Sequence, residues 1–156
     1  VSATMPSTPR SLPQRRAAAL QRLDTNVHLW LSTASDGHGA HLIPVAYVWD
    51  GGRLTMATFV QSRTMANLKA NPHARVAIGT TSDVVMIDGL VEFVEVADID
   101  TDSAERFARV SHDPRAMPGF RYLRMAPTRI QVWNGFNEYA GRTVMANGTW
   151  LDKPID

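Results

Sequence analysis

The stretch LTMATFVQSRTMANLKANPHARVAIGT, Leu54 to Thr80, decides how this chain is read. It opens on an apolar run, Leu54 to Phe59, and closes on another, Arg75 to Thr80. Short apolar runs of this kind read as strands. Between them lies Ser-Arg-Thr-Met-Ala-Asn-Leu-Lys-Ala-Asn-Pro, Ser62 to Pro72. Ser62 suits a helix N-cap, and Asn71-Pro72 suits a stop, because the residue before proline is pushed out of the helical region. A helix start carries unpaired backbone N–H groups and a partial positive charge. Arg63 between the hydroxyls of Ser62 and Thr64 therefore supplies the parts of a phosphate clamp. The same residues also make an ordinary capped surface helix with Arg63 in solvent.

Outward from this stretch the pattern is mostly strand. Upstream, Val27 to Thr33 alternates apolar and polar residues, Ser35 to Gly39 reads as a turn, and His41 to Trp49 is a long strand. Asp50-Gly51-Gly52 turns into Leu54 to Phe59, which predicts an antiparallel meander and excludes a Rossmann unit. Downstream, Val84 to Val96 is a strand whose Gly89 marks a bulge or bend. Asp100 to Val110 is a helix capped by Asp100 or Thr101, and His112 to Phe120 is a loop, either a lid over a pocket or purely structural. Thr128 to Trp133 is a further strand, and Asn147-Gly148 joins a C-terminal hairpin. Near the start, Ser11 to Asn26 forms a helix that turns Arg15, Arg16 and Arg22 to solvent.

Six or more strands in 156 residues must close or sandwich to protect their edges. The expectation is a mainly β fold with about three helices, a small antiparallel barrel. Residues 1–12 read as a flexible arm rich in Ser, Thr and Pro, without the apolar core of a secretory signal, and 13–156 as one domain.

Net charge is +1, which argues against nucleic acid or an anionic membrane as partner. The chain has no Cys, which removes disulfides and thiolate chemistry and fits the cytoplasm. His38 and His41 lie across a turn with no carboxylate beside them, so no metal site is expected. There is no Gly-x-Ser-x-Gly elbow, and Ser111-His112-Asp113 are only neighbours in sequence. Trp133 and Phe136 end a strand and read as core, interface or a stacking platform. One constellation remains. Ile43-Pro44-Val45-Ala46 is an apolar strand whose proline places it at an edge, with backbone groups free for a ligand. Thr58 and the Ser62-Arg63-Thr64 helix start follow closely. A flat apolar floor, free amides and an anion site together describe a phosphorylated planar cofactor.

From His41 to Pro72, with the Asp-Gly turn and Ser-Arg-x-x-x-Asn-Leu-x-x-Asn-Pro, the chain resembles the FMN-binding split-barrel superfamily. This is the pyridoxamine 5′-phosphate oxidase-like group that includes actinobacterial flavin and deazaflavin oxidoreductases. The resemblance implies a split β-barrel homodimer with cofactor at the subunit interface. Leu42, Ile43, Pro44, Val45, Ala46 and Tyr47 would line the ring, largely through backbone. Ala57 and Thr58 would sit beside the ring and its side chain. Ser62, Arg63 and Thr64 would hold phosphate, supported by Asn67. Asp83 to Met86, and Trp133, would close the site from the partner chain. The phosphate oxidases carry Arg-Lys where this chain has Arg63-Thr64, so the likeness leans to members using coenzyme F420, with FMN as the alternative. Lys69, Arg75 and Arg53 could meet that coenzyme's acidic tail or stay solvated. The implied activity is hydride transfer to an unsaturated or oxidised small organic substrate, its proton coming from solvent or from Tyr47 or His41. The other readings are FMN-dependent oxidation and non-catalytic binding of flavin or haem.

Overall fold

The computed structural model describes residues 8–156, so the first seven residues of the expected arm lie outside the described residues. Helix α1 spans Leu12–Thr25, with Ser11 and Gln14 forming a reciprocal capping box. Strands β1 (His28–Ser35) and β2 (Gly39–Ala46) form a hairpin. Then come β3 (Val48–Asp50), β4 (Arg53–Phe59) and α2 (Arg63–Ala70). Strands β5 (His73–Gly79) and β6 (Asp83–Val94) precede α3 (Thr101–Val110). The long β7 (Phe120–Asn134), a 3-10 turn (Phe136–Glu138) and the hairpin β8 (Thr143–Ala146) and β9 (Thr149–Trp150) complete the described chain.

The strand order is β2-β1-β5-β6-β7-β4-β3, all antiparallel, with β8 attached to β7 and β9 to β8. Strands β2 and β3 are the two ends of this order, yet only Tyr47 separates them in sequence. Chain continuity therefore joins the sheet's two edges, and the sheet wraps into a split barrel. Leu31, Val76, Ile87, Ile130, Leu54 and Met56 fill its interior. At the end where β1 begins, Arg22 of α1 donates to the backbone and carboxylate of Asp83. At the opposite end, Asn67 of α2 bonds Thr33 and Ser35. The two helices thus close opposite ends of the β1 side. Helix α3 covers a second, smaller core of Val48, Ala57, Phe107 and Tyr122 on the outside of β4 and β7.

Three readings of the sequence are corrected here. The meander is not continuous: the run His41 to Trp49 breaks at Tyr47, its first part pairing with β1 and its second with β4. The Tyr47 phenol is buried and donates to the carbonyls of Leu23 (3.1 Å) and Arg22 (3.3 Å). Strand β7 starts at Phe120, eight residues before the expected Thr128, because its first residues pair with β4 on one side and β6 on the other. Two of the three α1 arginines are not solvated: Arg15 is 4% exposed and Arg22 pairs with Asp83, while Arg16 stays exposed, its guanidinium over the Trp150 ring. The bulge at Gly89 is present, and a Cβ there would lie 2.3 Å from the Ala126 carbonyl.

Candidate functional site

The start of α2 is the most ligand-ready point of the chain. Ser62 caps it, accepting from the Met65 N–H at 3.1 Å, and its hydroxyl lies 3.0 Å from that of Thr58. Capping uses one first-turn donor; the Arg63 and Thr64 N–H groups have no acceptor among the described residues. Arg63 is exposed and pairs with no carboxylate among the described residues. Asn67 is fully buried, donating to Thr33 at 3.1 Å and accepting from Ser35 at 2.8 Å, which fixes the helix against β1. The Thr64 side chain is fully buried, and its hydroxyl has no partner among the described residues.

Strand β2 is an edge, as its proline requires, pairing only with β1. Leu42 and Pro44 point outward, Leu42 being 59% exposed, while Ile43 and Val45 lean on the core and Ala46 on the smaller core. Next to Pro44 the outer face carries a cavity of about 540 Å³, whose lining includes Trp30, Pro44, Ala77 and His28. That volume suits a small planar molecule. Ala57 and Tyr47 offer less than expected. Ala57 faces α3 and Tyr122, and Tyr47 is buried with its N–H donating to the Val27 carbonyl. Burial pushes the Tyr47 phenol above its ordinary pKa, and its proton is engaged, so it is no proton donor to a substrate. Arg75 and Arg53 are engaged as well, by Asp88 at 2.5 Å and Asp50 at 3.6 Å.

Asp83 and Trp133 lie elsewhere in the same chain. Asp83 opposes Asn134, and Val84 opposes Trp133, so the two sit side by side where β6 begins and β7 ends. Strand β6 is three steps from β2 and β7 four, roughly 14 and 19 Å along the sheet. They are also at the sheet end opposite α2. Arg22, which donates to Asp83, lines the Pro44 cavity together with Gly79 and Thr80, so Asp83 lies beside that cavity in the same chain.

Beyond Trp133 the chain makes an aromatic turn that Tyr139 joins to Trp133 and Phe136. Phe136 is 94% exposed and stacks on Tyr139, with ring planes 13° apart; Tyr139 meets Trp133 edge-on, and the Arg142 guanidinium lies 4.0 Å over its ring. The turn is firmly held. Glu138 is 3% exposed and accepts from the Arg10 guanidinium, the Arg10 N–H and the Asn134 N–H. Arg15 donates to the carbonyls of Glu138 and Ala140. Burial would raise the Glu138 pKa, but the Arg10 bonds and the Asn134 N–H outweigh it and bring it down to about 2.

Comparison with known proteins agrees with this geometry. Residues 16–134 match the family model described as pyridoxamine 5′-phosphate oxidase. Among solved structures, a haem-binding protein from Mycobacterium smegmatis superposes with TM-score 0.66 at 15% identity, covering 91% of this chain and 60% of that one. HutZ, the haem storage protein from Vibrio cholerae, gives 0.62 at 14%, covering 81% and 97%. An F420 reductase gives 0.57 at 18%, covering 70% and 93%. At these identities the likeness is one of fold. No curated protein matches. No helix among the described residues is long and apolar enough to cross a membrane.

Proposed function

The chain belongs to the pyridoxamine 5′-phosphate oxidase family, and on that premise we propose a cytoplasmic oxidoreductase that uses the deazaflavin coenzyme F420 to reduce an unsaturated or oxidised small organic molecule. The observation that carries this reading is the unpaired, exposed Arg63 on an N–H-rich helix start, beside an outward apolar edge strand. Arg63, Ser62 and the first-turn N–H groups would hold a phosphate. Leu42 and Pro44, with the free backbone edge of β2, would lie under the ring. The bound coenzyme supplies hydride; the protein binds and orients it and shields the acceptor from water. No side chain is assigned as acid or base, and the proton comes from solvent.

Support for F420 over FMN as used by the phosphate oxidases comes from position 64. Thr64 is buried, so this chain has neither the lysine nor an exposed place for its charge. The reading includes a homodimer. In that homodimer Asp83 and Trp133 of a second copy would close the ring, as the family resemblance implies. The alternatives are FMN-dependent chemistry and non-catalytic binding of flavin or haem, the fold likeness to haem-binding proteins being in line with the last.

The test is a parallel fluorescence titration of the purified protein with F420 and FMN. Preference for F420 at micromolar affinity or tighter supports the proposal. Preference for FMN moves it to flavin chemistry, and binding of neither overturns the clamp at Ser62 and Arg63.

A further inference from the structure

The cavity of about 540 Å³ that starts at Pro44 contains groups that the clamp does not use. It runs away from the clamp, towards the end of the sheet that α1 closes. Trp30 stands between its register partners, Pro44 of β2 and Ala77 of β5, and is 50% exposed. The last outward positions of β5 are the small residues Ala77 and Gly79, which leaves the space beside the indole empty. Gly79 is needed there. Its φ is 105°, and a Cβ would lie 2.1 Å from an Arg22 guanidinium nitrogen. Arg22 therefore reaches the cavity wall only because position 79 has no side chain. A guanidinium has five N–H donors. Arg22 uses two of them, on the Asp83 carbonyl at 2.7 Å and the Asp83 carboxylate at 2.6 Å. The rest have no acceptor among the described residues, and the side chain is 25% exposed. Among the described residues no carboxylate lines the cavity, whose ionisable groups are Arg22 and His28.

We propose that this cavity binds a planar conjugated carboxylate, its ring system against the Trp30 indole and Pro44 and its carboxylate on the unused N–H groups of Arg22. A half-exposed indole beside a proline offers a stacking surface. A guanidinium with free N–H groups matches the two oxygens of a carboxylate. The Asp83 bonds hold that guanidinium in place before any ligand arrives, so little ordering is left to oppose binding. Asp83 also offsets part of the charge, which suits a singly charged anion better than a polyanion. The volume admits a two-ring acid. Of the residues given to the coenzyme, the site shares only Pro44, and it uses no residue of the clamp.

The experiment is a calorimetric titration of the parent protein, without coenzyme, with 2-naphthoate and with 2-naphthamide as its neutral isostere. Naphthoate should bind saturably with Kd below about 1 mM, and the amide at least about tenfold more weakly. Arg22→Gln should bring the two ligands to equal affinity. Trp30→Ala, at a half-exposed position, should weaken both alike by about threefold or more. The indole N–H resonance that Trp30→Phe removes from the spectrum should shift when naphthoate is added to the parent. No saturable binding of naphthoate, equal binding of acid and amide by the parent, or a Trp30 resonance that stays still would overturn the assignment. If Arg22→Gln does not fold, those three measurements on the parent decide the matter alone. Saturating F420 or FMN that displaces naphthoate would also overturn it, by making the cavity the seat of the coenzyme ring. A protein that binds naphthoate and neither coenzyme would lose the cofactor reading and keep this site.

Discussion

The Glu138 lock makes a sharp prediction about stability. In Glu138→Gln the amide oxygen can still accept from the Asn134 N–H, but the charge facing Arg10 is gone. The Arg10 guanidinium binds both carboxylate oxygens, at 2.9 and 2.8 Å, and its own N–H adds a third bond at 2.8 Å. Hydrogen bonds to charged groups are each worth on the order of 1.5–3 kcal/mol. A carboxylate lowered from 4.5 to about 2 corresponds, at about 1.4 kcal/mol per pH unit, to roughly 3 kcal/mol. Arg10 keeps part of its side chain in water, so we expect a loss of about 2 kcal/mol at pH 7, or roughly 4–8 °C in Tm. The sign with pH follows from the lowered folded-state value. The contribution is complete above the unfolded-state pKa near 4.5 and drains away as pH falls towards about 2. Urea unfolding at a series of pH values should therefore show parent and variant curves separated at neutral pH and converging between pH 4.5 and 2. A variant whose unfolding free energy stays within about 0.5 kcal/mol of the parent at pH 7, or a gap that does not narrow in acid, would refute the reasoning.

Three further changes probe the site. Arg63→Ala removes a charge-assisted contact of about 1.5–3 kcal/mol, so coenzyme affinity should fall roughly 10- to 150-fold by fluorescence titration; an unchanged Kd removes Arg63 from the clamp. Thr64→Val replaces a buried hydroxyl that has no partner, so thermal unfolding should show stability unchanged or up to about 1 kcal/mol higher, with coenzyme Kd unaltered. A large loss of affinity would return Thr64 to the phosphate. Tyr47→Phe forfeits the bonds to the Leu23 and Arg22 carbonyls and should cost about 1 kcal/mol in denaturant unfolding. The pH profile of turnover should not move, and a lost limb would mean that the phenol does supply a proton.

Local chemistry made part of this fold legible. Ser11, Ser62 and Asp100 all cap helices, because a short oxygen-bearing side chain before an apolar period has few other uses. Asn147-Gly148, with φ 51° and 72°, forms the hairpin turn its sequence announces. Pro44 marked the edge strand because it cannot donate to a second neighbour. The illegible parts are those decided by distant groups. Nothing near Tyr47 signals a break; it arises because barrel closure hands the chain from one sheet edge to the other. Arg15 looked solvated since its acceptors, the Glu138 and Ala140 carbonyls, are more than a hundred residues away. Phe136 was legible as an aromatic near a strand end, but the choice between core, interface and stacking platform depends on how the Glu138 lock directs the turn.

The placement of these parts links coenzyme binding to assembly. Each chain carries two rigid pieces at opposite ends of the sheet: a clamp fixed to β1 through Asn67, and an aromatic turn fixed to α1 through Arg10 and Arg15. If a complete site takes one piece from each protomer, a monomer binds the coenzyme through the clamp alone and the dimer through both pieces. A ligand that prefers the dimer must stabilise it by mass action, by about 2.7 kcal/mol per site at a hundredfold excess over Kd. Saturating F420 should therefore tighten the dimer in analytical ultracentrifugation, and dilution towards monomer should weaken apparent coenzyme affinity by the same linkage. A dimerisation constant that ignores saturating coenzyme would mean that each chain holds its ligand alone, and that the aromatic turn serves some other partner.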